Sequence, residues 1–331
     1  MNVLGQDAKV AGRFIKNCYL LSDKEYNHLF FNDPKSLFAG FNNVRIHRNL
    51  KNAASYDIYH PTDSDAHLLR GLPPDKKMVF TIHDMIPEKQ IAGTKPWPEK
   101  LNFARRADKI IAVSENTKRD IVDIFGIESS KIEVVYHGSS LQLTQVQKPK
   151  IPLPQRYLLF VGGRGGYKNF DAFIDATAPI IRKDSDLFVV CAGGKSFSDR
   201  ELQRLKELDI RDNVISIVGI SDDELSYIYA NSIAFIFPSL YEGFGIPILE
   251  AWACNAPVLL SNASCFPEIA GDAALYFDPN NPSSIAETID TILTNFSLRK
   301  DIIQRGTKRL ELFSWDKTVK QTLAIYQFLM S

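Results

Sequence analysis

Glu242 and Glu250 bracket the run EGFGIPILE, an E-x7-E spacing in which Gly243, Phe244, Gly245 and Ile246 precede Pro247. Proline suits the first turn of a helix, and Ile248 to Ala253 continue with good helix formers, so the run reads as a glycine-punctuated loop opening a helix. The backbone N–H groups of Phe244, Gly245 and Ile246 then stand at a helix start, where an anion is welcome. Glycine at 243 and 245 lets a ligand approach the backbone closely. Glu242 lies in the loop and Glu250 about one turn into the helix, so the two carboxylates can flank one ligand and touch different parts of it. That arrangement suits a ligand with a diphosphate at one end and hydroxyl-rich rings at the other, since carboxylates accept hydrogen bonds from sugar hydroxyls. An isolated pair of glutamates is more often a pair of solvated surface charges; the glycine-rich frame favours the binding reading.

A second run, GGRGGYKNF, places four glycines, Arg164 and Lys168 between the apolar stretch Tyr157–Val161 and a helix predicted over Phe170–Ile181. Backbone amides, a helix start and two cations make an anion cradle. The run meets neither G-x-x-x-x-G-K-[ST] nor G-x-G-x-x-G. A third candidate is TIHD, where His83 and Asp84 follow the strand-like KMVFTI. They occupy the carboxyl edge of a strand, where α/β proteins place their sites, and an imidazole there can hydrogen-bond a sugar hydroxyl or meet developing charge. His60, after Asp57–Tyr59, fits a structural role.

The elements that must position these groups alternate strand and helix. Strands are expected at Asp57–Pro61, Lys77–His83, Asp108–Val113 and Lys131–Tyr136, and helices at Trp97–Arg106 and from Glu115, with Ser114 as N-cap. His137-Gly138 closes this half, Gly138 serving a turn at the junction. Leu141–Gln155 is polar, contains proline, shows no period and reads as a linker that would let two lobes close on a ligand and exclude water. The second half offers strands at 157–161, 187–192, 214–218, 233–237 and 257–260, and helices at 170–181, 200–207, after the Ser221 N-cap, 247–253, Pro282–Phe296 and Lys317–Met330. Pro267-Glu268 and Asp278-Pro279 punctuate loops. The expected domains are 1–140, the linker 141–155, 156–312 and a terminal helix 313–331.

Taken with the following strand and PEIAGDAALYFDP, the E-x7-E run resembles the retaining nucleotide-sugar glycosyltransferases of family four, in particular bacterial O-antigen or capsule mannosyltransferases. TIHDMIPE, SENTKRDI and Phe313-Ser314-Trp315 resemble further motifs of the family, so the resemblance covers most of the chain. It implies the GT-B fold, an α/β architecture of two Rossmann-like domains facing across a cleft, with a C-terminal helix crossing back to the first. The N-terminal domain would take the acceptor and the C-terminal one the nucleotide-sugar. The resemblance implies catalytic roles for His83 and Glu242, with His83 contacting the sugar from the other lobe. Lys168 maps directly onto the family's Lys-Asn and would neutralise the diphosphate. The arginine the family has before it is Tyr167 here, and Arg164 takes that place only through the flexible glycines. Glu250 would bind ribose hydroxyls, the loop Gly243–Ile246 the hexose, and the backbone around Val218–Ile220 the nucleotide base. Ala11-Gly12-Arg13-Phe14 resembles the loop opening the family's first helix, where Gly12 would admit a donor phosphate or an acceptor, or simply start a helix. The strand before it would be very short, with Asn2-Val3-Leu4 the candidate, or missing.

The donor expected from the resemblance is GDP-mannose ahead of a UDP-hexose, the acceptor a lipid-linked or polymeric glycan at the inner face of the membrane, and no cofactor. No metal is expected, since the two cations would take its place at the diphosphate. Lys+Arg 39 against Asp+Glu 39 gives a formal net charge of zero over 331 residues, which argues against a nucleic-acid partner. Cys18, Cys191, Cys254 and Cys265 show no C-x-x-C spacing and read as buried reduced thiols of a cytoplasmic protein. No apolar run is long enough for a transmembrane helix. Lys9, Arg13 and Lys16 beside Phe14, Ile15, Tyr19 and Leu20 would suit a peripheral membrane face, although a helix packed on its own sheet is the plainer account. A nicotinamide dehydrogenase lacks its G-x-G-x-x-G. A nucleotide-sugar epimerase of the same fold and a non-catalytic glycan-binding protein remain as alternatives.

Overall fold

Every strand pair among the described residues is parallel. Parallel neighbours cannot be joined by hairpins, so the chain must cross over between them, and helices are the usual crossovers. The computed structural model describes residues 3–5, 44–46, 57–61, 74–139, 141 and 147–331. The chain divides into two compact units, one of Met1–Gln90, Thr94–Ser140 and Ser314–Ser331, the other of Ile91–Gly93 and Leu141–Phe313.

The first unit carries β1 (Val3–Gly5), β2 (Val44–Ile46), β3 (Ile58–His60), β4 (Lys77–Ile82), β5 (Lys109–Ala112) and β6 (Ile132–Val134), ordered β2-β1-β3-β4-β5-β6. The first strand is therefore present and short, while β2 had no reading in the sequence. Side chains alternate across the sheet. Met78, Phe80 and Ile82 of β4 pack with Phe103 and Ala104 of α1 (Pro98–Arg106) and Ile121 of α2 (Glu115–Phe125). Val79 faces the other way and joins Ile58, Ile111, Val319, Leu323 and Tyr326, the last three from the helix Trp315–Met330. Ser114 caps α2 and Ser314 caps that final helix, each hydroxyl accepting from the backbone N–H three residues on. Gly138 does something other than the expected junction turn. A Cβ there would lie 2.3 Å from the Trp315 backbone nitrogen, so glycine is required by the close passage of the last helix's first residues.

The second unit runs β7 (Tyr157–Val161), α3 (Phe170–Lys183), β8 (Phe188–Ala192), α4 (Asp199–Glu207), β9 (Val214–Ile217), α5 (Asp222–Ala230), β10 (Ala234–Phe237), α6 (Ile246–Ala253), β11 (Val258–Ser261), α7 (Phe266–Ala270), β12 (Leu275–Phe277), α8 (Pro282–Thr294) and α9 (Phe296–Leu310). The helix Trp315–Met330 of the first unit is α10. The second sheet is ordered β12-β11-β10-β7-β8-β9. Its inner strands are buried on both faces, as continuous apolar runs in a parallel sheet should be. Leu158 and Phe160 of β7 pack with Phe170, Phe173 and Ile174 of α3 and with Ile285 and Ile289 of α8.

One expectation for this unit needs correction, and one of its helices was not expected. Pro267-Glu268 lies inside α7 rather than in a loop, because proline is tolerated in a helix's first turn. The helix expected over Pro282–Phe296 is α8, which ends at Thr294; α9 had no reading in the sequence and starts where the Asn295 side chain accepts from Leu298 N at 2.9 Å. The three cysteines among the described residues, Cys191, Cys254 and Cys265, are free and buried. No helix among the described residues is long and apolar enough to cross a membrane.

Candidate functional site

In the second sheet the strand order reverses between β7 and β10, and the loops leaving such a switch point open a crevice at the strands' carboxyl ends. The loop after β7 carries Lys168 and the loop after β10 carries Glu242. They are stitched together: Leu240 N donates to Tyr167 O at 2.8 Å, and Lys168 Nζ lies 2.6 Å from Glu242 Oε1. These side chains are only 21% and 13% exposed, so the pair is screened little by solvent. Burial pulls the Lys168 pKa down, but the Glu242 charge and hydrogen bond, with Tyr167, outweigh it and leave the pKa raised. Lys168 is thus held as a cation. Its ammonium also sits over the rings of Tyr167 and Phe237, 5.1 and 5.4 Å from their centroids.

The Glu242 backbone is clamped from the loop after β11. Ser264 Oγ accepts from Glu242 N at 3.2 Å and donates back to Glu242 O, which also accepts from the Cys265 thiol at 3.2 Å. Neither residue is assigned to the site by the sequence; the available signal is that both follow a buried strand at the same sheet edge as Glu242. Downstream, Gly243 and Phe244 are buried, and the Phe244 ring meets Phe313 edge-on at 5.8 Å. Gly245 caps α6 at φ 90, a conformation other residues rarely take, and Ile246 opens the helix with Pro247 in its first turn. The first amides of α6 therefore point out of its N-terminus, as the spacing predicts. Glu250 lies in the second turn, and its Oε2 accepts from the Tyr229 hydroxyl at 3.1 Å. Tyr229 is a partner the sequence did not reveal.

Arg164 is engaged elsewhere in this unit. Its Nε donates to Glu201 at 2.7 Å, and Nη2 donates to the carbonyls of Lys195 and Ser196 at 2.7 and 3.1 Å. The guanidinium lies 4.6 Å from the Phe197 ring centroid. Burial pushes the Glu201 pKa up, but its hydrogen bonds with Arg164 and Ser198 more than reverse this and hold it below the usual range. Ile220 follows Gly219 beyond β9 and precedes the Ser221–Glu224 capping box that starts α5.

The first unit holds His83 and Asp84. The His83 ring stacks on His137 at 5.5 Å, and His137 in turn packs on Trp315 at 5.5 Å. Burial first, and the nearby His83 second, keep the His137 pKa well below its ordinary value, so His137 is neutral near pH 7. Asp84 shapes the loop after β4: Oδ1 accepts from Ile86 N at 3.0 Å and its carbonyl accepts from Lys100 Nζ at 3.1 Å. Lys100 also bonds Glu88 at 2.7 Å. His60 is buried, Nε2 bonded to Thr81 Oγ1 at 2.7 Å and Nδ1 to the Tyr326 hydroxyl, in keeping with its expected structural role. Gly12, with Lys9, Arg13, Lys16 and Cys18, lies outside the described residues.

The model of glycosyl transferases group 1 matches residues 142–309, and that of glycosyltransferase family 4 matches 21–143. O-antigen chain mannosyltransferase B of Escherichia coli is 29% identical over 263 residues, covering 76% of this chain and 68% of its own. The O-antigen chain mannosyltransferase RfbU of Salmonella typhimurium is 28% identical over 67% of this chain and 62% of its own. An MMP alpha-(1->4)-mannosyltransferase of Mycolicibacterium hassiacum is 26% identical over 82% and 70%. Among solved structures, Anabaena Alr3699/HepE in complex with UDP and glucose superposes with a TM-score of 0.74 at 16% identity, over 98% of both chains. Sucrose-phosphate synthase from Thermosynechococcus elongatus gives 0.69 at 18% identity, over 89% of this chain and 76% of that one. The structural likeness is one of fold, and the fold is GT-B.

Proposed function

Because this chain belongs to the glycosyl transferases of group 1, we propose that it moves mannose from GDP-mannose onto a glycan or lipid-linked saccharide, with retention of the anomeric configuration, in the assembly of a bacterial surface polysaccharide. The observation that carries the reading is the meeting of Lys168 and Glu242 at 2.6 Å over the switch point of the second sheet, beside the N-terminus of α6. The mannosyltransferase names of the relatives from Escherichia coli and Salmonella typhimurium favour mannose.

In this reading the diphosphate takes Lys168 and the first amides of α6. The cation and the helix end then stabilise the negative charge that builds on the departing nucleotide. Glu242, released from Lys168, accepts from hydroxyls of the hexose, with the loop Gly243–Ile246 against the ring, and Glu250 accepts from the ribose hydroxyls. The base rests on the backbone around Ile220. His83 serves the transferred sugar as a hydrogen-bonding imidazole. In the transfer itself the acceptor oxygen bonds to the anomeric carbon, the bond from that carbon to the diphosphate oxygen breaks, and the acceptor's proton passes to the departing phosphate. Attack and departure on one face retain the configuration without a covalent intermediate. A double displacement would need a second carboxylate about 5 Å from the first across the bond, and this reading assigns none opposite Glu242.

A thermal-shift panel of GDP-, UDP- and ADP-sugars tests the donor, since a ligand bound only by the native state raises Tm. GDP-mannose should give the largest rise. Incubation with GDP-mannose and an O-antigen-type acceptor should release GDP and yield an α-mannoside. Conversion of the donor alone into another sugar nucleotide would instead establish an epimerase, and glycan binding with neither transfer nor donor hydrolysis a non-catalytic protein.

A further inference from the structure

Tyr229 has no place in the chemistry so far, yet it is fully buried with its hydroxyl directed at a carboxylate of the site. It is the penultimate residue of α5, and its ring meets Phe235 of β10 edge-on at 5.4 Å. Phe235 is itself wholly buried in the strand that leads to Glu242. The phenol oxygen lies 3.1 Å from Glu250 Oε2 and 3.5 Å from the carbonyl of Pro247, in the first turn of α6. An interior ring thus reaches out of the core to a half-buried glutamate on the neighbouring helix.

We propose that Tyr229 is the positioning residue for Glu250, fixing its carboxylate for the paired hydroxyls of a ribose; the inference rests on the nucleotide-sugar reading above. A glutamate side chain has several rotatable bonds and loses substantial freedom when held. A phenol donates one hydrogen bond, and to an ionised acceptor such bonds are the stronger kind. Tyr229 donates to one carboxylate oxygen and is anchored in the sheet's core, so the carboxylate plane is set before any ligand arrives. Two neighbouring hydroxyls need an acceptor of fixed plane, whereas a diphosphate needs only charge and amides. The effect of Tyr229 is therefore confined to the ribose end of the ligand. A nucleotide with both ribose hydroxyls should gain from it, and one lacking them should not.

Tyr229→Phe keeps the buried ring and removes only the hydroxyl. Calorimetry with GDP and with 2′,3′-dideoxy-GDP, and with the two uridine counterparts in parallel, on wild type, Tyr229→Phe, Glu250→Ala and the double variant tests the idea. Tyr229→Phe should raise the Kd for GDP about fivefold, leave the dideoxy ligand unchanged, and add nothing to Glu250→Ala. With GDP-mannose as substrate, KM should rise at constant kcat. If Glu250→Ala weakens GDP and Tyr229→Phe does not, or if Tyr229→Phe weakens both ligands alike, Tyr229 only packs and the inference is overturned. If Glu250→Ala changes neither ligand, or wild type binds no nucleoside diphosphate, the reading of the site fails and this inference falls with it.

Discussion

Lys168 and Glu242 neutralise one another at 2.6 Å across two loops that are far apart in sequence and adjacent at the sheet's switch point. A diphosphate approaching Lys168 must compete with that carboxylate. Glu242→Gln should therefore tighten binding of GDP alone, by about threefold in Kd, while lowering the rate of transfer. Lys168→Met should lower kcat by roughly 10²- to 10³-fold, the usual effect of removing one group that stabilises a charged transition state. Calorimetry and initial rates on the two variants check both directions.

Gly306 in α9 lies under Trp252 of α6. A Cβ at 306 would stand 2.3 Å from Trp252 Cδ1, and the indole is fully buried. Gly306→Ala cannot be absorbed by a flexible chain end and should destabilise the second unit by roughly 1–3 kcal/mol. A calorimetric scan should show a lower Tm for that unit, with the far-ultraviolet spectrum at 25 °C unchanged.

His60 makes the first unit acid-sensitive. Burial, then the charge of His83, lowers its pKa from 6.5 to about 3. The unfolded chain takes up the proton near its ordinary pKa while the folded one refuses it. The contribution of His60 to stability is thus complete above pH 6.5 and is lost progressively as pH falls toward 3, on the order of 1 kcal/mol per pH unit. His60→Gln should flatten that slope in denaturant titrations between pH 6 and 4. An unchanged slope would mean that the acid limb comes from other groups.

Arg164 should matter more to folding than to the donor. Its side chain is 4% exposed and braces Glu201 together with the carbonyls of Lys195 and Ser196. Arg164→Met leaves Glu201 without that partner and should cost about 2 kcal/mol of stability, seen as a lower Tm, with less than a twofold change in the Kd for GDP. A tenfold weaker GDP complex in a protein of unchanged Tm would return Arg164 to the phosphate. The depressed Glu201 pKa gives the direction of the pH effect: the pair's stabilisation is present above the ordinary carboxylate pKa and fades as pH falls below it.

Much of this was legible in the chain because it is written locally. Glycine and proline mark the loops after β7 and β10, Ser114 and Ser221 announce helix starts, and apolar runs mark the buried strands. The pairing of Lys168 with Glu242 was half legible: both residues stood out as ligands for one site, but nothing in their spacing says that they bond each other first. The partners of Arg164, Glu250 and His83 were not legible at all. Glu201, Tyr229 and His137 reach them from other elements, and such contacts leave no period in the sequence. The helix α9 had no reading although Asn295 before it is a good N-cap, because the apolar pattern of α8 runs on into Phe296.

The first sheet depends on α10 for one of its faces, and α10 is encoded after the whole of the second unit. A ribosome therefore delivers Ile58, Val79 and Ile111 long before the residues that cover them. While 141–313 is being made, the earlier unit waits with a bare apolar surface, and chains usually mature from the amino end. Here the half made second can be finished first, and release of the last helix seals the half made first. Chains stalled before residue 314 should be sticky and protease-sensitive in their amino half alone.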